Sequence, residues 1–153
     1  MESHSITSSV IQILVLLLCS AFFSATETAF TSLNRIRIKN KADAGNPSAK
    51  RVLALEQNYD NLLSTILVGN NLVNIASTAV ATVLFMNLYG QYGATISTIV
   101  TTVIVLIFGE ITPKSLAKEH PETFASFAAP VINLLRIILT PINWIFAQWK
   151  KLL

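Results

Sequence analysis

The sequence is poor in most of what a soluble enzyme uses: it has one cysteine, two histidines and only 12% charged residues in 153 positions. A lone thiol, Cys19, cannot close an intrachain disulfide and reads as a packing residue within an apolar stretch. His4 and His120 stand far apart with no Cys or His at ligand spacing, which argues against zinc. No nucleophile–base pair, phosphate-cradling glycine loop or acid/base dyad occurs, so an enzyme is not expected. The net charge is +3, but the basic residues gather at the ends of apolar runs and not in a stripe interleaved with aromatics. That pattern points away from nucleic acid and toward anionic lipid headgroups.

What the chain has is apolar length, at 52% hydrophobic residues. No Asp, Glu, Lys or Arg occurs from Ser3 to Thr26, nor from Asn61 to Gly109, a run of about 49 residues. A membrane span needs about 20 apolar residues, so the first run supplies one helix and the second supplies two. Between those two, Gly90 and Gly93 break the helix, and Tyr89 and Tyr92 suit a headgroup boundary. A cleavable signal peptide is disfavoured, because Glu2 and His4 precede the apolar run and no Lys or Arg does. The predicted class is an all-α membrane protein with three transmembrane helices at about 7–30, 61–87 and 93–111. A cytoplasmic helical hairpin over 31–60 and a C-terminal juxtamembrane belt helix over about 121–150 complete it.

Charge sets the orientation. Arg35, Arg37, Lys39, Lys41, Lys50 and Arg51 follow the first span, Lys114 and Lys118 follow the third, and the Gly90 turn carries no charge. The positive-inside rule puts the N-terminus and the glycine turn outside and the basic segments in the cytoplasm. The hairpin arms run from Ser32 to Ala44 and from Ser48 to Gln57 about a Gly45-Asn46-Pro47 turn. On the second arm Val52, Leu53 and Leu55 form an apolar patch, while Lys50, Arg51 and Glu56 stay polar. Between Thr123 and Gln148 the only charge is Arg136, so a fourth span competes with an interfacial helix. Pro130, Pro141, lysines before and after the segment (Lys150 and Lys151 after it), and a cost of about 2.5–3.5 kcal/mol for an arginine at bilayer depth favour the interfacial helix. Trp144 and Trp149 then sit at headgroup level.

Several polar residues interrupt the apolar runs. Ser20, Ser24 and Glu27 share one face of the first helix, and Asn70, Asn74 and Ser77, beside Asn71, repeat the spacing on the second. Hydroxyl and amide oxygens with a carboxylate are the ligand chemistry of a hard cation. The plainer alternative is that they hold helices together. At the end of the third span Pro113 removes an amide donor, leaving the Gly109 carbonyl without its helical partner beside Glu110. Ordinary helix termination, with Glu110 solvated, is the competing reading. Glu27 has its own alternative, pairing with a nearby Lys or Arg. Thr95, Thr98 and Thr102 fit hydroxyls bonded to the preceding turn, and Phe22, Phe23 and Phe30 fit packing or lipid contact.

The runs Phe22-Phe23-Ser24-Ala25-Thr26-Glu27-Thr28-Ala29-Phe30, Val68-Gly69-Asn70-Asn71-Leu72-Val73-Asn74 and Gly109-Glu110-Ile111-Thr112-Pro113-Lys114 occur in that order. They resemble the transmembrane domain of the CorC/cyclin-M (HlyC/CorC) magnesium transporter family, over nearly the whole chain. The resemblance implies a homodimer in the cell membrane that exports Mg2+ against Na+ from a site open to the cytoplasm. By motif, it implies Ser24, Asn70, Asn74, Ser77 and the Gly109 carbonyl as metal ligands, with Glu110 attracting or holding the cation. Ser20, Glu27, Asn71, Pro113 and Lys114 are candidates for Na+ coupling or for structure. Co2+ and Mn2+ remain open as cargo, and a non-transporting membrane anchor or assembly module is the alternative. Members of the family normally continue into nucleotide-binding cytoplasmic domains, which are not expected within these residues.

Overall fold

A computed structural model describes the chain from Glu2 to Leu152. The side chains of Glu2, His4, Lys150 and Lys151, used above in weighing the N-terminus and topology, lie outside the described residues. Among the described residues all regular structure is helical. The elements are α1 (Glu2–Ser32), α2 (Arg35–Asp43), α3 (Pro47–Glu56), α4 (Tyr59–Tyr89), a 3-10 turn (Gly90–Tyr92) and α5 (Gly93–Ile104). A π-helical segment (Val105–Ile111), α6 (Thr112–Glu119), α7 (Pro121–Ile138) and α8 (Thr140–Leu152) follow. The chain forms two compact units, one of Met1–Ala25 with Gly69–Leu116, the other of Thr26–Val68 with Ala117–Leu153.

The first unit is turned inside out relative to a soluble core. Leu18, Leu72, Ile75, Val83, Ile99, Phe108 and Ile111 are exposed, whereas Ser20, Ser24, Ser77 and Ser97 are buried. Small polar side chains share the interior with Phe23 and Leu84 while many large apolar ones lie outside, which suits helices whose solvent is lipid. Two helical stretches, Ile6–Ser32 and Tyr59–Glu119, are long and apolar enough to cross a bilayer, the second interrupted by the 3-10 turn. At that turn Gly90 takes φ +59°, and Gly93 lies so close to the Phe85–Met86 backbone that a Cβ there would collide with it. The chain therefore folds back, and the hydroxyls of Thr82 on α4 and Ser97 on α5 lie 3.5 Å apart.

Gly109 does not end a helix. Winding continues through Val105–Ile111 in π geometry, with the Thr112 amide donating to the Ile107 carbonyl, and runs on as α6 to Glu119. Gly109 keeps an ordinary negative φ; among the glycines only Gly45 and Gly90 are positive. The physical reason lies at Pro113, which lacks an amide hydrogen and in a regular helix would clash with the carbonyl four residues back. A wider turn spreads that strain without stopping the helix.

In the second unit α3 packs on both α2 and α7. Asn34 caps α2 by accepting from the Arg37 amide, and Asn46 caps α3 by accepting from Ala49, with Pro47 in the first turn and Gly45 at φ +96° before it. Ile38 and Ala42 of α2, Ala49, Val52 and Leu55 of α3, and Ala125, Ala128, Ala129 and Ile132 of α7 are buried. Their spacing of three and four residues makes one stripe per helix, and the alanines allow close approach. Glu56, on the polar side of the second arm, is 5% exposed, and Arg35 donates from Nε to its Oε2 at 3.2 Å. A buried carboxylate requires such a partner. The C-terminal segment is interrupted at Leu139, just before Pro141, whereas Pro130 sits exposed inside α7.

Arg37 and Lys41, one turn apart on α2, both reach Glu122 in the first turn of α7, at 3.2 and 2.6 Å. Lys41 foremost, with Arg37, holds the Glu122 carboxyl below its ordinary value of 4.5 despite partial burial. Because the folded-state value is lowered, the stabilisation is complete above the unfolded value and is lost as pH falls through the lower folded one. Glu122→Gln should cost about 0.2–1 kcal/mol at neutral pH, and the deficit should shrink on acidification, as read by thermal unfolding in detergent. Gly93→Ala should be worse, by about 1–3 kcal/mol, since the new methyl meets backbone that cannot move aside.

Candidate functional site

Three elements of the first unit meet at Ser20. Its hydroxyl donates to Asn74 Oδ1 at 2.7 Å and lies 3.5 Å from Asn70 Oδ1. A Cβ on Gly109 would sit 2.9 Å from the same Oγ, so α1, α4 and the π segment approach one another at one hydroxyl. Next to Asn70 on α4, Gly69 lies under the Phe23 ring, where a Cβ would come within 2.5 Å of two ring carbons. The two glycines permit the approach, and the four-residue spacings turn the oxygens inward.

The chemistry of this point is oxygen-rich. A serine hydroxyl has one proton, so it satisfies Asn74 and leaves the Asn70 amide oxygen only a long contact. Ser24 and Ser77, 0% and 1% exposed, have buried hydroxyls with no hydrogen-bond partner. Such a group costs about 1–3 kcal/mol, a penalty that alanine at either position would avoid. Among the described residues no group of three or more His, Cys, Asp or Glu side chains is gathered in one place. The donor set is therefore made of neutral oxygens, which suits a hard, weakly held cation and not a tightly chelated soft metal.

The cyclin M transmembrane N-terminal domain model matches residues 11–153. The chain belongs to the cyclin M transmembrane family. The UPF0053 inner membrane protein YfjD of Escherichia coli (strain K12) is 42% identical over 134 residues, 88% of this chain and 31% of that protein. A UPF0053 protein of Haemophilus influenzae is 39% identical over 99% of this chain and 36% of its own length. A relative from Escherichia coli named polyamine export protein is 30% identical over 91% of this chain and 34% of its own length. The chain spans about a third of the length of these relatives.

Within this cyclin M domain the residues singled out by sequence fall into three groups. Ser20, Asn70, Asn74 and Gly109 come together. Ser24 is buried one turn beyond Ser20 on α1, while Ser77, one turn beyond Asn74, lines a cavity of about 240 Å³ with Leu14, Leu17, Thr101 and Val105. Glu110 and Lys114 are half-buried, Pro113 is buried, Asn71 is exposed, and Glu27 belongs to the second unit. Ser20, a secondary candidate by sequence, is the hub of this contact. Sequence reasoning passed over Ser97 and Thr101, both buried on α5, and picked the threonines beside them. Those are exposed, and Thr98 bonds back to the Ala94 carbonyl as its spacing suggested. Only the orientation of α5 against α4 separates the two sets.

Gly109→Ala should force Ser20 Oγ aside and break its bond to Asn74. A loss of about 1–3 kcal/mol in thermal unfolding is expected, with Ser20→Ala/Gly109→Ala recovering part of it, because the clash is then relieved.

Proposed function

We propose that this domain is the membrane part of a Na+-dependent Mg2+ exporter working by alternating access. The observation that carries the proposal is the convergence of Ser20, Asn70, Asn74 and Gly109, flanked by the buried, unpartnered hydroxyls of Ser24 and Ser77. An assembly module would use the Ser20–Asn74 bond as interhelical glue, but it has no use for two hydroxyls that bond to nothing.

In this reading α1, α4 and the run from α5 through the π segment are the three spans, α2 and α3 form a cytoplasmic hairpin, and α7 with α8 lies along the cytoplasmic interface. The exposed apolar side chains of Phe127, Val131, Leu134 and Ile138, recurring along α7, support its contact with lipid. A homodimer in the cell membrane, with its N-terminus outside, completes the arrangement.

Ser24, Asn70, Asn74, Ser77 and the Gly109 carbonyl supply the oxygens for the cation. Since Pro113 donates no hydrogen bond, a carbonyl one turn before it, Gly109 in α register or Phe108 in π register, lacks that donor. Mg2+ holds its water tightly and prefers oxygens at about 2.0–2.1 Å in octahedral array. Neutral ligands replace part of that shell without a charge-charge attraction that would prevent release. Glu110, half-buried beside Gly109, provides long-range attraction. Na+ satisfies the same oxygens with one charge less, so its entry opposes that of Mg2+ and couples the two gradients. Ser20, Asn71, Pro113 and Lys114 hold the framework, and Glu27 acts in Na+ coupling or structure. Of the other cargoes, Co2+ and Mn2+ need only the same hard oxygens, whereas a polyamine is extended and polycationic and would favour several carboxylates.

In proteoliposomes, Ser24→Ala and Asn74→Ala should each lower Na+-driven Mg2+ efflux roughly tenfold or more, the worth of one lost contact to a charged ligand. Mg2+ should raise the unfolding temperature of the wild-type domain, and much less that of Asn74→Ala. Efflux that persists in both variants, or that runs with spermidine and not with Mg2+, rejects the proposal.

A further inference from the structure

In the second unit a cavity of about 260 Å³ opens between α3 and α7, lined by Arg51, Ala54, Leu55, Ala129, Pro130, Asn133 and Arg136. Its polar lining is a set of donors. Arg136 Nη2 donates to Asn133 Oδ1 at 3.1 Å, which occupies the amide oxygen and leaves the Asn133 amino group and the rest of the guanidinium to face a ligand. Neither Arg51 nor Arg136 has a carboxylate partner among the described residues, whereas Arg35, Arg37 and Lys41 all do. Two unneutralised guanidinium groups with an amide donor between them match an acceptor-only anion, and phosphate above all.

The rest of the lining is apolar. Leu55, Ala54, Ala129 and Pro130 form the remaining wall, and the adjoining face of α7 exposes Phe127, Val131, Leu134 and Ile138 at spacings of four, three and four residues. A free phosphate would use only the arginines. A molecule that carries a phosphate and hydrocarbon together uses both surfaces.

We propose that this cavity binds the phosphate of an anionic phospholipid, with the acyl chains lying along the exposed face of α7. The inference rests on the interfacial placement of α7 set out above. Headgroups bearing an ammonium are disfavoured, because the cavity offers two cations and no carboxylate. Bound in this way, the lipid neutralises Arg136 at the membrane surface and fastens α3 to α7, whose alanine-rich contact organises the second unit.

The test uses the full chain in phosphatidylcholine vesicles with and without phosphatidylglycerol, followed by extraction and quantification of retained lipid by native mass spectrometry. The wild type should retain phosphatidylglycerol selectively. Arg51→Gln/Arg136→Gln should lower that enrichment about tenfold, whereas the charge-matched Lys39→Gln/Lys118→Gln should not. Equal loss in both pairs means diffuse attraction and overturns the site, as does displacement of the lipid by excess inorganic phosphate. If the glutamine pair unfolds, Arg51→Lys/Arg136→Lys keeps the charges without the fork geometry and should give an intermediate enrichment; full wild-type or no enrichment counts against the site. Quenching of Trp144 and Trp149 by brominated phosphatidylcholine reads the interfacial placement separately. Quenching without selectivity overturns the lipid site alone, and absence of quenching overturns the placement and the site together.

Discussion

Close backbone approach at two glycines is the constraint on which the first unit depends. Phe23 rests on Gly69 and Ser20 rests against Gly109, each at a distance that leaves no room for a Cβ. In lipid there is no hydrophobic gain from bringing helices together, so association relies on dispersion and hydrogen bonds, both of which fall away steeply with distance. If α1 were held one methyl group further out, the Ser20–Asn74 bond would be lost along with the packing. The polar centre and the helix packing are therefore one structural fact.

The π segment belongs to the same logic. Proline inside a helix usually breaks or kinks it, and a bilayer penalises backbone groups left without partners. Widening the turn before Pro113 lets the helix continue from Val105 through Ile111 into α6 while Gly109 stays pressed to Ser20. The same turn lies where α1 and α4 present Ser20, Asn70 and Asn74.

The second unit is organised by other forces. Its core is a stripe of small apolar residues on α2, α3 and α7, and its ion pairs join α2 to α3 through Glu56 and α2 to α7 through Glu122. It resembles an ordinary soluble helical cluster on those sides, with an apolar outer face on α7 left exposed. The contrast is between an interior of apolar stripes, which water rewards, and one of close-packed helices with small polar groups, which suits lipid.

Much of this was legible in the residues. Uncharged runs, the Gly90–Gly93 turn, the asparagine and proline signals at the starts of α2 and α3, and the four-residue spacings of Ser20 with Ser24 and of Asn70 with Asn74 all depend on local geometry, which composition and periodicity encode. Three things were decided only by tertiary structure. Gly109 continues a helix, Ser20 is central, and Ser97 and Thr101 are buried where Thr98 and Thr102 are not. The first depends on how the turn before Pro113 absorbs the proline, and the other two on which face of one helix meets another and at what distance. Periodicity names the faces of a helix, but it does not say which face finds a partner when every face is apolar enough for lipid.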